Sequence, residues 1–266
     1  MAFFFDSHTH FPDNCSEDEA ETIVAEARAA GVPMLLLAGT SLRDCPQNIA
    51  FANGHDGVYT AVGVHPEEVA GWDEGAVGRL EQWCRSSAKV VAIGEIGLDA
   101  HYDATSGADQ EAVFAQCLQL AARLEMPVVL HVREAFERAF PMVRRYLPSG
   151  HPVQIHSFAD GPAELDKWLE LNAFFSYNGM VTFKKAENIR QTLRLVPDER
   201  LLLETDAPYL APAPFRGQPN ASRLIPVIAG RVAEERRQSV EKIAELTSAN
   251  AMRFFRISAG ETGAVS

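Results

Sequence analysis

Met34-Leu35-Leu36-Leu37 is an apolar run without a polar break. A strand with one wet face alternates apolar and polar residues. A run that is apolar at every position suits a parallel strand buried on both faces. Similar short runs recur along the chain and predict eight strands: Phe3–His8, Met34–Ala38, Val58–Val64, Val90–Glu95, Pro127–His131, Val153–His156, Ala173–Tyr177 and Leu201–Glu204. Helical patterns lie between them. Ser16 is placed to cap a helix over Glu17–Ala30, with Glu19 three residues on and Gly31 just past the end. Further helices are predicted over Asp73–Ser86, Ala108–Leu124, Ala135–Tyr146, Ala163–Leu171, Lys185–Leu195, Asn220–Glu235 and Val240–Phe255.

Eight strands alternating with helices argue for a closed (β/α)8 TIM barrel of the α/β class. An open doubly wound sheet is the alternative. The length of 266 residues suits one barrel of roughly 250 residues, so a single domain over 1–266 is expected. Hydrophobic residues make up 47%, enough for a large core. The formal net charge is 24 − 36 = −12, which disfavours non-specific tracking of long nucleic acid. Cys15, Cys45, Cys84 and Cys117 show no CxxC spacing, so a structural zinc knot has no support. They read as free thiols of a reducing compartment. No apolar run approaches 18 residues, so no membrane association is expected and a cytoplasmic setting is. No obligate protein partner is evident.

Five histidines, His8, His10, His65, His131 and His156, fall at or just after the C-terminal end of a predicted strand. Glu95 ends the fourth strand and Asp206 follows the eighth. In a barrel this is the face that carries active sites. In Asp6-Ser7-His8-Thr9-His10, alternate residues share a strand face, and two such imidazoles suit one metal ion.

Several ordered stretches resemble the TatD family of metal-dependent deoxyribonucleases, within the amidohydrolase-like barrels. They are Asp6-Ser7-His8-Thr9-His10, Gly63-Val64-His65-Pro66, Ala92-Ile93-Gly94-Glu95-Ile96-Gly97-Leu98-Asp99, Val129 to Ala135, His156-Ser157-Phe158, Ser176 to Phe183, and Leu202 to Leu210 followed by Arg216-Gly217. Asn250-Ala251 also fits. The resemblance implies two divalent cations (zinc, manganese, nickel or magnesium). His8, His10, Glu95 and Asp206 would hold the first. Glu95 would bridge to the second, held with His131 and His156. It further implies hydrolysis by a water that the cations activate.

Asp206 is then a candidate to take the water's proton, with ligation alone as the other reading. His65 and Arg133 are candidates for the phosphate oxygens, and Arg216 and Asn220 for a loop over the substrate. Asp6, Asp99 and Glu204 would orient metal-bound imidazoles. The expected activity is 3′-5′ exonuclease hydrolysis of DNA ends or short single strands. The alternative is a small phosphoester, lactone or amide substrate on the same platform. Three departures from the family pattern fall at the expected barrel mouth: Gln218-Pro219-Asn220-Ala221-Ser222, His156-Ser157-Phe158-Ala159-Asp160, and Ala100-His101-Tyr102 after Asp99.

Overall fold

A computed structural model describes residues 2–101 and 107–258. Tyr102 lies outside the described residues. The eight strands are β1 (Phe5–Thr9), β2 (Met34–Ala38), β3 (Val58–Val62), β4 (Val90–Asp99), β5 (Val128–Arg133), β6 (Val153–Ile155), β7 (Phe174–Tyr177) and β8 (Leu201–Leu203). They form one sheet in the order β1 to β8. The pairs β1–β2, β3–β4, β4–β5, β5–β6 and β7–β8 are parallel. The chain leaving β8 returns to β1: the Asp206 amide donates to the His8 carbonyl at 2.9 Å and the His10 amide to the Ala207 carbonyl at 2.8 Å. First and last strands are therefore neighbours, and the fold is the (β/α)8 barrel rather than the open sheet. Every position of β1, β2, β3, β6, β7 and β8 is buried, as their composition requires.

The helices are α1 (Glu17–Ala29), α2 (Cys45–Gly54), α3 (Ala76–Ser86), α4 (Gly107–Leu124), α5 (Phe136–Tyr146), α6 (Pro162–Glu170), α7 (Glu187–Leu195), α8 (Ile225–Arg236) and α9 (Val240–Phe255). Ser16 and Glu19 form the capping box at the start of α1, each side chain accepting from the other's backbone amide. Gly31 follows at φ +80°. Along α1, Ala20, Val24 and Ala27 make the buried stripe, which is the helical period read from the sequence.

Most boundaries shift by a residue or two, and four shifts have a visible cause. β4 continues past Glu95 to Asp99, because Gly97, Leu98 and Asp99 pair with His131, Val132 and Arg133 beyond a register shift. Glu95 and His131 are thus inside their strands. β3 ends at Val62, and His65 instead opens a 3-10 turn over Pro66–Gly71. α3 begins at Ala76 because the Asp73 carboxylate binds the Gly75 amide and Arg79. α8 begins at Ile225, since the chain before it is held as a loop by the Asn220 amide on the Pro208 carbonyl.

Contacts group the chain into two compact units. One comprises Met1–Leu37, Ser157–Leu165 and Phe175–Ser266; the other comprises Ala38–His156 and Asp166–Phe174. In the first, α9 buries Ile243, Ala244, Thr247, Ala251, Phe254 and Phe255. Its Asn250 side chain donates to the Asp198 and Leu201 carbonyls at 2.7 and 2.8 Å, fixing the helix to the start of β8. In the second, Trp168 is fully buried and meets Phe136 and Phe140 edge to face.

Candidate metal centre

Each unit carries a group of side chains that could hold a metal ion. In the unit of Ala38–His156, the group gathers on Glu95, which is buried in β4. Glu95 Oε1 lies 2.9 Å from His131 Nδ1, 2.9 Å from His156 Nε2 and 3.5 Å from His65 Nε2. Their spacing is set by how closely β4 and β5 approach. Gly97 has φ +150°, and a Cβ there would fall 1.9 Å from the His131 carbonyl oxygen. Only glycine lets the two strands meet at this point.

Second contacts decide what each ring offers. His131 Nε2 lies 2.8 Å from Asp99 Oδ2. That carboxylate is itself fixed: Oδ1 accepts from the His101 amide at 2.7 Å, and the Asp99 amide donates to buried Gln110 at 3.0 Å. A proton on Nε2, donated to Asp99, leaves the His131 Nδ1 lone pair facing Glu95, His156 and His65. Burial by itself would push the His131 ring down. The Asp99 and Glu95 carboxylates outweigh it and hold the ring above its ordinary value.

His65 is a different case. Its Nδ1 accepts from the Glu67 amide at 3.2 Å, so the neutral ring carries its proton on Nε2. A protonated nitrogen cannot ligate a metal but can donate to an anionic oxygen. Arg133 closes β5, half-buried and in register with Asp99.

In the unit that holds both chain ends, β1 presents His8, fully buried, and the chain just beyond it presents His10. Their Nε2 atoms are 3.1 Å apart. Asp206 Oδ1 stands 3.9 Å from His8 Nε2 and 3.7 Å from His10 Nε2. Asp206 adopts φ +56°, which turns its carboxylate back toward the end of β1. Two imidazoles and a carboxylate oxygen facing one another form a donor set that suits a divalent cation. The Glu95, His131 and His156 group offers the same chemistry. The residues present fit the metal ions that the sequence implies.

The remaining predicted residues make the following contacts. The Asp6 carboxylate accepts from the Thr205 amide at 2.8 Å, the Thr205 hydroxyl at 2.6 Å and the His8 amide at 3.4 Å. It joins β1 to the segment after β8, and burial pushes its carboxyl up to about 7 despite these donors. Glu204 accepts from the Ser157 amide at 2.7 Å, Asn178 at 3.2 Å and the Ser176 hydroxyl. The Asn220 side chain is 4% exposed. It donates to the Thr205 and Tyr209 carbonyls at 2.8 and 2.7 Å and accepts from the Ala221 amide at 2.9 Å. Those contacts make it the staple of the loop after β8. Arg216 is exposed, its guanidinium 3.7 Å from the centre of the Phe183 ring.

Thr205, Ser176 and Asn178 anchor carboxylates and Gln110 holds the Asp99 backbone amide, and sequence reasoning assigned them no role. Ser176 and Asn178 lie in the Ser176–Phe183 stretch, and their alternation with Tyr177 at the end of a buried strand was the available signal.

A family model described as TatD related DNase matches residues 5–256. The 3′-5′ ssDNA/RNA exonuclease TatD of Cronobacter sakazakii is 33% identical over 94% of this chain and 97% of its own length. The uncharacterized metal-dependent hydrolase YabD of Bacillus subtilis is 30% identical over 95% of this chain and 99% of its own. Among solved structures, the Escherichia coli TatD homologue YJJV matches with a TM-score of 0.90 at 29% identity, covering 96% of this chain and 98% of that one. Matches that run the length of the chain, over a barrel whose strands deliver imidazoles and carboxylates in groups, place this protein in the TatD family of metal-dependent hydrolases.

Proposed function

We propose that this chain is a 3′-5′ exonuclease acting on single-stranded DNA ends, with residues 1–266 working as one catalytic domain. The observation that carries the reading is the buried Glu95 carboxylate set among His131, His156 and the Nε2–H of His65, together with relatives named as single-strand exonucleases. We assign His8, His10, Asp206 and Glu95 to one divalent cation and Glu95, His131 and His156 to a second, following the family pattern. The mixed nitrogen and oxygen donors suit zinc, manganese, nickel or magnesium. Such cations supply Lewis-acid polarisation of a phosphoryl oxygen and a water acidic enough to attack near neutral pH.

The chain's own residues do the rest. Asp206 takes the proton from the attacking water and returns it to the leaving oxygen. His65 donates from Nε2 to a non-bridging phosphate oxygen, and Arg133 supplies a second, charged donor. Asp99 keeps the His131 ring in one tautomer and one orientation. A cytoplasmic setting is supported by the four cysteines, all free thiols, and no helix among the described residues is long and apolar enough to cross a membrane.

The test is a time course on an end-labelled single strand beside a closed circle of the same sequence, with each cation in turn. Mononucleotide release from the linear strand alone is expected. Efficient cutting of the circle would overturn the end-directed reading. Inertness toward both, with turnover of a small ester or amide, would replace it with a small-substrate hydrolase. Elemental analysis after reconstitution should give more than one ion per chain, and a plateau at one would remove the bridging role from Glu95.

A further inference from the structure

The acidic protein spends many of its cations on carboxylates: Arg79 pairs with Asp73, Arg123 with Glu81, and Arg236 with Asp198. Lys184, Lys185 and Arg216 are different. All three are exposed, and no carboxylate of the described residues pairs with them. They gather at one place, because Arg216 lies 3.7 Å over the ring of Phe183 and the two lysines follow Phe183 in the chain.

The same place is built firmly onto the metal-binding end of β8. A Cβ on Gly179 would fall 1.9 Å from the Leu210 carbonyl oxygen, so the turn after β7 and the loop after β8 lie backbone to backbone. The Ala213 amide then donates to the Thr182 hydroxyl at 2.8 Å. Tyr209, next to Leu210, is 61% exposed. Its backbone is nonetheless held at both polar groups: the amide on the Asp206 carbonyl at 2.9 Å and the carbonyl by Asn220 at 2.7 Å. A large, mostly exposed ring on a fixed backbone, one turn from a candidate metal ligand, is placed to stack. A rigid aromatic followed by unpaired cations is how proteins hold single strands without reading their sequence.

We propose that these two loops form the substrate track, an inference that rests on the nuclease reading above. The Tyr209 ring stacks on a base close to the reacting phosphate. Lys184 and Lys185 receive backbone phosphates farther along the strand, with Arg216 held between by Phe183. The track explains how a chain of net charge −12 selects a flexible single strand over duplex, whose bases are not available to the ring.

The experiment measures binding of a phosphorothioate oligothymidylate by fluorescence anisotropy, and turnover of the matching unmodified strand, for wild type, Tyr209→Ala, Tyr209→Trp and Lys184→Ala/Lys185→Ala. Tyr209→Ala should weaken binding on the order of ten-fold, the usual worth of one stacked base, and raise KM more than it lowers kcat. Tyr209→Trp should restore binding, which a merely structural role would not. The double lysine variant should make the log–log salt dependence shallower by roughly 1.4, about 0.7 for each phosphate lost on a single strand. Wild-type binding and salt dependence in the alanine variants would overturn the track while leaving the nuclease reading intact. A wild-type protein that neither binds nor cuts the oligonucleotide would overturn both.

Discussion

Asp206 is the residue on which the proposed chemistry turns, because one carboxylate is asked to face two imidazoles and to carry a proton. Asp206→Asn keeps an oxygen but cannot accept that proton. Turnover should fall by ~10²–10⁴ with metal content near wild type, measured side by side on one preparation. Metal lost in step with activity would leave Asp206 as a ligand only. Asp99 tests orientation instead. Asp99→Ala frees the Nε2 side of His131 and should weaken metal affinity by roughly 10–100-fold, whereas Asp99→Asn, which still offers an acceptor, should weaken it less; a competitive chelator titration separates the two.

Asp160, at one of the departures from the family pattern, gives a pH prediction. Burial first, and Glu164 second, push its carboxyl up to about 6 from an ordinary 3.8. A raised acid binds its proton more tightly folded than unfolded. Stability from this group is therefore full below the ordinary value, declines as pH rises through the window to about 6, and stays lost above it. Asp160→Asn should raise the urea midpoint at pH 7.5 and leave it unchanged near pH 4.

At the scale of elements, the strands were legible because a barrel strand buries both faces, and Met34–Ala38 has the same bounds in sequence and structure. α2 was not legible. Its Cys45-Pro46-Gln47-Asn48-Ile49 opening carries no apolar stripe, and only Ile49 and small residues are buried along it. Pro46 near the start and Gly54 at the end were the signal that remained. The continuation of β4 to Asp99 was hidden for another reason: register shifts depend on a partner strand, which no local pattern records. The donors at His8, His10, Glu95, His131, His156 and Asp206 could be found because each follows or ends an apolar run in the sequence. The residues that hold their carboxylate neighbours, such as Thr205 on Asp6 and Gln110 on Asp99, could not, since each contact joins separate elements of the fold. Gly97→Ala places a methyl on the His131 carbonyl and forces a side chain into a conformation that costs about 1–3 kcal/mol by itself. The variant should melt earlier and bind less metal, and unchanged values for both would show that β4 and β5 can part without moving His131.

For the whole molecule, the question is whether the two units unfold together. All three tryptophans, Trp72, Trp83 and Trp168, belong to the unit of Ala38–His156 and Asp166–Phe174. Tryptophan fluorescence therefore follows that unit alone, while far-ultraviolet circular dichroism follows both. If the chain is one catalytic domain, the two urea transitions coincide. A dichroism change outside the fluorescence transition would make the unit with both chain ends separately stable, and would set the single-domain proposal aside.

The clamp of Asp6 on Thr205 joins positions 199 residues apart. During synthesis, the strand made first waits for nearly the last before its neighbour exists. Until then β1 has one unpaired edge and a carboxylate without its two threonine donors, and an open edge of this kind invites pairing with another chain. The closing loop is long, yet its entropic cost grows only as the logarithm of length. Closure is thus late rather than prohibitively costly. Pulse-labelled hydrogen exchange during refolding should find the Thr205 amide among the last to gain protection. Closing the ring is then also the step that brings His8 and His10 to Asp206.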